Sequence, residues 1–160
     1  MRFILIDKIV EIERGKRIKA VKSVSLSEEY LADHFPAFPV LPGVLLLEGL
    51  VESASWLVRD AEDFAHSMIL LEKAQNVKYK SFLAPGGLIE YTVEAKLIES
   101  EVSSFKGPGL AGGREVVEAR LWLRHFNLAE NEPQKAAADA LVVENMRERW
   151  RLLRQPAAGG

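Results

Sequence analysis

The stretch "GVLLLEGLVESASWLVRD", residues 43–60, places apolar side chains on nearly every face of a helix of about five turns, with Gly49 its one weak point. Such a helix has no wet face to turn outward, so other elements must cover it on most sides. The prolines of "HFPAFPVLPG", residues 34–43, stop the helix from extending backwards, since each fixes φ and removes a backbone donor. They also stiffen the loop in front of it.

Strand patterns supply the cover. In "IEYTVEAKL", Ile89, Tyr91, Val93, Ala95 and Leu97 alternate with polar residues, and "REVVEARLWLRHF" repeats the pattern with Val117, Ala119, Leu121 and Leu123. The start predicts a hairpin, with strands over Arg2–Glu13 and Arg17–Leu26 joined by a turn at Gly15. Residues 67–83 read as one long strand and "APGG", 84–87, as a turn. The expected class is α+β: a curved antiparallel sheet wrapped around a central helix. Val142, Met146, Trp150 and Leu153 recur at helical spacing near the C-terminus, predicting an amphipathic helix whose arginines form a solvated face. The expected organisation is one domain over 1–160: a core over 1–128, a helical extension over 129–155 and a frayed tail over 156–160.

Composition removes several classes of function. There is no cysteine, which excludes disulfides, thiolate metal sites and cysteine nucleophiles. A net charge of −2 gives no general electrostatic case for nucleic acid or membrane binding. Charges interrupt the apolar N-terminus before a signal-peptide core forms, and no apolar run spans a bilayer, so the expected location is cytoplasmic. "GPGLAGG", 107–113, satisfies a GxGxxG pattern but precedes a strand instead of a helix, and reads as a hairpin loop. His66 and His125 stand apart from other ligand types, and no metal-ligand spacing is persuasive.

His34 and Glu48 carry the chemistry. Taken singly, His34 reads equally well as a loop residue bonding nearby backbone, and Glu48 as the one solvent-facing residue of its helix. Together they read differently. The proline-rich loop holds His34 beside the helix start, Glu48 has leucines at 45, 46, 47 and 50 around it, and the helix opens at Pro42-Gly43 with unsatisfied N–H groups. Those donors polarise a carbonyl placed against them. Histidine exchanges protons near neutral pH, and a carboxyl among aliphatics holds its proton to higher pH. A base, an acid and a carbonyl polariser describe proton abstraction beside a carbonyl with loss of a β-leaving group.

The stretch "HFPAFPVLPGVLLLEGLVES" resembles the active-site signature of the 3-hydroxyacyl-[acyl carrier protein] dehydratases, enzymes of the hotdog fold. "FILIDKIVEIERGKRIKAVKSVS", "LEKAQNVKYKSFLAPGGLIEYTVEA" and "FKGPGLAGGREVVEARLWL" extend the resemblance over about 125 residues in one order. The resemblance implies His34 as the base at C2, Glu48 as the acid on the departing 3-hydroxyl, and the amides of Gly43 and Val44 as the carbonyl site. It places Phe35, Ala37 and Phe38 against the substrate. It implies a homodimer with shared active sites, higher oligomers being left open, and an acyl group delivered on the phosphopantetheine of acyl carrier protein, with no cofactor of the enzyme's own.

Three departures from the family pattern stand out. Ala37 replaces a glycine; Asp33 replaces another and is expected to raise the pKa of His34 or to orient its ring; Glu52 replaces a glutamine and is expected to discourage joint ionisation with Glu48, keeping one of the two protonated. They keep open a hotdog protein that binds acyl thioesters without turnover. A thioesterase is the third reading, disfavoured by the spacing of His34 and Glu48.

Overall fold

The computed structural model describes residues 4–156, so most of the expected frayed tail lies outside the described residues. Six strands form a single antiparallel sheet: β1 (Lys8–Glu13), β2 (Arg17–Ser23), β3 (Met68–Tyr79), β4 (Leu88–Ile98), β5 (Val102–Ala111) and β6 (Arg114–Phe126). Their order across the sheet is β1-β2-β4-β5-β6-β3. Helix α1 (Gly43–Ala61) lies in the concave face and touches β2, β3, β4, β5 and β6. This is the hotdog arrangement expected from the all-round apolar helix.

Gly49 explains how the helix lies so deep. A Cβ there would stand 2.1 Å from the Tyr91 ring and hydroxyl of β4. Only glycine lets helix and strand close to this distance, so the weak point in the helix sequence is the contact point of the fold. Around it Leu46, Leu50, Ala54, Leu57 and Val58 meet Ile89, Val93, Phe105, Val117, Ala119, Leu121 and Leu123, all buried.

Several strand expectations change. Leu97 is 46% exposed, because the β4–β5 register shifts between Ala95 and Leu97 and turns Ile98 inward instead. One extra residue reverses the faces of everything after it. Gly107 and Gly109 belong to β5 and not to a loop. A Cβ on Gly107 would sit 2.1 Å from the Thr92 carbonyl, and one on Gly109 2.8 Å from Ile89 and Val117, so these glycines serve tight sheet packing. The turn itself is Gly112-Gly113 alone, both at positive φ, as a two-residue hairpin requires. The first strand starts at Lys8, since residues 4–7 leave the sheet and bury Leu5 and Ile6. The second ends at Ser23 and β3 at Tyr79, short of Leu26 and Leu83.

Helix α2 (Ala136–Leu153) packs Val143, Met146, Trp150 and Leu153 on the body, so Val143 takes the role expected of Val142. Trp150 lies 5.7 Å from the Trp56 ring and 6.1 Å from Phe64. Buried Asp139 fixes the start of α2: it accepts the Ser67 hydroxyl and the amides of Leu128 and Ala129, the latter two at 2.9 Å. The arginines are not all solvated. Arg147 covers the Phe64 ring at 4.5 Å and donates to the Asp63 carbonyl.

Gly49→Ala is expected to destabilise the chain by about 1–3 kcal/mol or more, the range for overpacking a filled core. A urea unfolding midpoint equal to that of the wild type would contradict the close-approach account.

Candidate active site

The loop before α1 is closed by its own backbone. The amide of Val40 donates to the His34 carbonyl at 3.0 Å, while Phe35 and Phe38 exchange hydrogen bonds at 3.3 and 3.0 Å. The His34 ring stacks on Phe35 with centroids 4.4 Å apart, and its Nδ1 lies 3.1 Å from the Val40 carbonyl. A carbonyl only accepts, so the ring proton belongs on Nδ1 and the Nε2 lone pair is left to take a proton. One ring nitrogen therefore satisfies the loop reading and the other remains for chemistry. Val40, and not Asp33, orients the ring: Asp33 is exposed, and among the described residues no hydrogen bond joins it to His34. Ala37 needs no glycine freedom, because the described non-glycine residues with positive φ are Asp63, Phe64 and Asn76.

His34 and the N-terminus of α1 share one cavity of about 410 Å³, walled also by Val40, Leu41, Leu46 and Tyr79. The amides of Leu45 and Leu46 bond the Pro42 carbonyl at 2.9 and 3.2 Å. Among the described residues, the amides of Gly43 and Val44 donate to no group. Two free N–H groups at the positive end of a 19-residue helix make a ready acceptor site for a carbonyl oxygen. The Tyr79 ring lies over Gly43, where a Cβ would come within 3.2 Å of it. Burial pushes the Tyr79 phenol up, so it stays protonated. The side chains of Phe35, Ala37, Phe38 and Val44 stand outside this wall and are exposed.

Glu48 opens into a different cavity of about 460 Å³, formed with Glu52, Trp56, Leu70, Leu71 and Arg149. Within one chain, then, the base and acid suggested by the sequence do not line the same space. Burial raises the Glu48 carboxyl above its ordinary range. Glu52, one turn on, is pushed up to about 7, first by burial and further by Glu48, against the pull of the Leu5 amide, Arg149 and Lys22. The Leu5 amide donates to Glu52 at 2.8 Å. The buried Tyr91 phenol also lies within electrostatic reach of Glu52, and burial holds its proton on. Of the two carboxyls, Glu52 is the more strongly shifted.

Tyr79, Leu5 and Arg149 escaped the sequence reading. Tyr79 ends a strand of otherwise ordinary pattern, and Leu5 acts through its backbone; neither leaves a motif. Arg149 belongs to a helix face that read as solvated. The two histidines set aside as isolated are brought together with Glu62, their ligand atoms all within 4.8 Å of one another.

Comparison with known proteins agrees with this architecture. A FabA-like domain model matches residues 1–120. The 3-hydroxyacyl-[acyl-carrier-protein] dehydratase FabZ of Geobacillus thermodenitrificans is 33% identical over 119 residues, covering 74% of this chain and 82% of that one. The FabZ dehydratase of Albidiferax ferrireducens is 35% identical over 122 residues, covering 74% and 81%. Among solved structures, the dehydratase heterocomplex ApeI:P of Xenorhabdus doucetiae superposes with a TM-score of 0.66 at 15% identity, over 84% of this chain and 90% of that one. The TT0310 protein of Thermus thermophilus superposes at 0.53 with 15% identity, over 74% and 91%. By sequence match and by fold, this chain belongs to the FabA-like family.

Proposed function

We propose that the protein dehydrates 3-hydroxyacyl thioesters carried on acyl carrier protein, giving trans-2-enoyl thioesters. The observation that supports this reading is one cavity lined by both His34 and Gly43, at a helix start whose Gly43 and Val44 amides donate to no described group. The thioester carbonyl accepts from the Gly43 and Val44 amides, which stabilises the negative charge that develops as C2 loses its proton. His34 Nε2 takes that proton. Glu48, whose carboxyl burial raises above its ordinary range, gives a proton to the 3-hydroxyl as it leaves as water. Each turnover leaves a proton on His34 and takes one from Glu48, so a proton passes back from one to the other before the next, and elimination of water involves no change of oxidation state. The relatives named FabZ support the substrate class.

Because His34 and Glu48 line separate cavities of one chain, the reading needs a second copy to bring one to the other. Strand β3 is suited to it. It lies at the sheet edge with an unpaired side and presents exposed Leu70 and Leu71 beside the Glu48 cavity. Edges of this kind pair readily with another chain. We therefore propose a homodimer with composite sites, working in the cytoplasm alongside a soluble carrier. Among the described residues no helix is long and apolar enough to cross a membrane.

With a 3-hydroxyacyl carrier substrate, His34→Ala and Glu48→Gln are each expected to lower kcat by roughly 10²–10⁴-fold, the usual weight of general acid–base groups. Appearance of the conjugated enoyl thioester is the readout; free thiol in its place would mark a thioesterase, and binding without product an acyl-thioester binder. Coexpressing His34→Ala with Glu48→Ala chains should restore about a quarter of wild-type activity, since half of the dimers carry one intact site of two. No recovery would place both groups in one chain.

Glu52 generates a separate pH prediction. Its carboxyl titrates near 7 in the fold against an ordinary 4.5, so the folded chain binds the extra proton between those values. Stability contributed by this group is then present at low pH and is lost as pH rises through about 7. Glu52→Gln should raise stability at pH 8 by on the order of 2 kcal/mol and leave it nearly unchanged at pH 4. Equal effects at both pH values would contradict the assignment.

A further inference from the structure

At the far end of α1, about 28 Å along the helix from Gly43, a second constellation of side chains serves no step of the proposed reaction. Glu62 caps the helix, His66 follows in the loop, and His125 projects from the end of β6. Glu62 Oε2 lies 2.9 Å from His66 Nδ1 and 3.7 Å from His125 Nδ1. The site is enclosed: the three side chains are 12%, 15% and 0% exposed, in that order.

Hydrogen bonding within the trio does not satisfy it. The Glu62–His66 contact uses one oxygen and one nitrogen, while Glu62 Oε1 and His125 Nδ1 remain buried with no hydrogen-bond partner. The other face of His125 is occupied, with Nε2 2.7 Å from the Ser103 hydroxyl. When Nε2 donates to Ser103, the Nδ1 lone pair is aimed at a carboxylate oxygen, a repulsive arrangement unless something positive lies between them. A neutral imidazole is the form that donates a lone pair to a metal ion. The Ser100 backbone also acts on the His125 ring, and a bound ion at Nδ1 competes with it.

We propose that Glu62, His66 and His125 bind one divalent cation of the borderline class typified by Zn²⁺. Two imidazoles and one carboxylate favour such ions over Mg²⁺ or Ca²⁺, which want oxygen ligands. A tetrahedral ion with bonds of about 2.1 Å holds its ligand atoms roughly 3.4 Å apart, and the two distances to Glu62 Oε2 bracket that value. Ser103 acts on His125 as outer partners do in such sites, fixing the ring so that Nδ1 faces the ion. Arg59 works against the added charge but is committed elsewhere, donating to the carbonyls of His66 and Ser67 at 3.1 and 3.0 Å, which holds the loop that carries His66. The fourth position falls to water on the partly open side of His66. A bound ion ties the end of the central helix to the end of β6, and so acts on stability and not on the dehydration chemistry.

The test is titration of chelator-treated full-length protein with ZnCl₂ by calorimetry and with CoCl₂ by visible absorption. One ion per chain is expected, with the intense ligand-field bands of low-coordinate cobalt and a rise in Tm of about 3 °C or more at saturating Zn²⁺. His66→Ala and Glu62→Gln should each weaken binding at least tenfold while leaving circular dichroism unchanged. His125 is too deeply buried for its replacement to be the sole arbiter. No saturable binding up to millimolar Zn²⁺, or binding that survives either substitution, overturns the proposal. Loss of binding on His34→Ala in its place would put the ion elsewhere and overturn it equally.

Discussion

Helix α1 can reach the floor of the sheet only because Gly49 presents no side chain to Tyr91. That contact sets how deep the helix lies, and the depth decides what its two ends can do. At one end the helix start, with the Gly43 and Val44 amides unbonded among the described residues, meets His34 at a largely apolar cavity lined by His34 and Gly43. At the other end Glu62 is drawn under β6, against the ring of His125.

Burial of this helix also accounts for the unusual carboxyl pair. Glu48 and Glu52 lie on the flank of α1 that faces the edge strand β3 and α2, and burial in the cavity these elements wall raises both carboxyls. The C-terminal helix lies beyond the residues matched by the FabA-like domain model, and it contributes Met146 and Arg149 to that wall. Arg149 draws Glu52 towards ionisation while Glu48 opposes it, so the proton inventory of the cavity depends on a helix outside the family match.

Architecture was legible in the sequence where periodicity is strong: the all-round apolar helix, the alternation of β4 before Ala95 and the whole of β6. It failed where a backbone irregularity intervenes. No residue pattern announces the bulge that exposes Leu97, and a strand glycine that is needed for close packing looks in sequence like a loop glycine, as Gly107 and Gly109 did. The candidate site divides along the same line. His34, Gly43 and Glu48 sit in a compact motif, whereas Tyr79, Leu5 and Arg149 enter through tertiary packing alone. Glu62, His66 and His125 were unreadable for that reason too, since Glu62 and His125 lie 63 positions apart in the chain.

The central claim is that the start of α1 grips a thioester carbonyl in front of His34. The most direct measurement is a crystal structure of the protein with a stable 3-hydroxyacyl thioester analogue bound. The account predicts the carbonyl oxygen within hydrogen-bonding distance of both the Gly43 and Val44 amides, with His34 Nε2 facing C2. An analogue bound with its carbonyl turned away from those amides, or seated in a cavity that excludes His34, would contradict it.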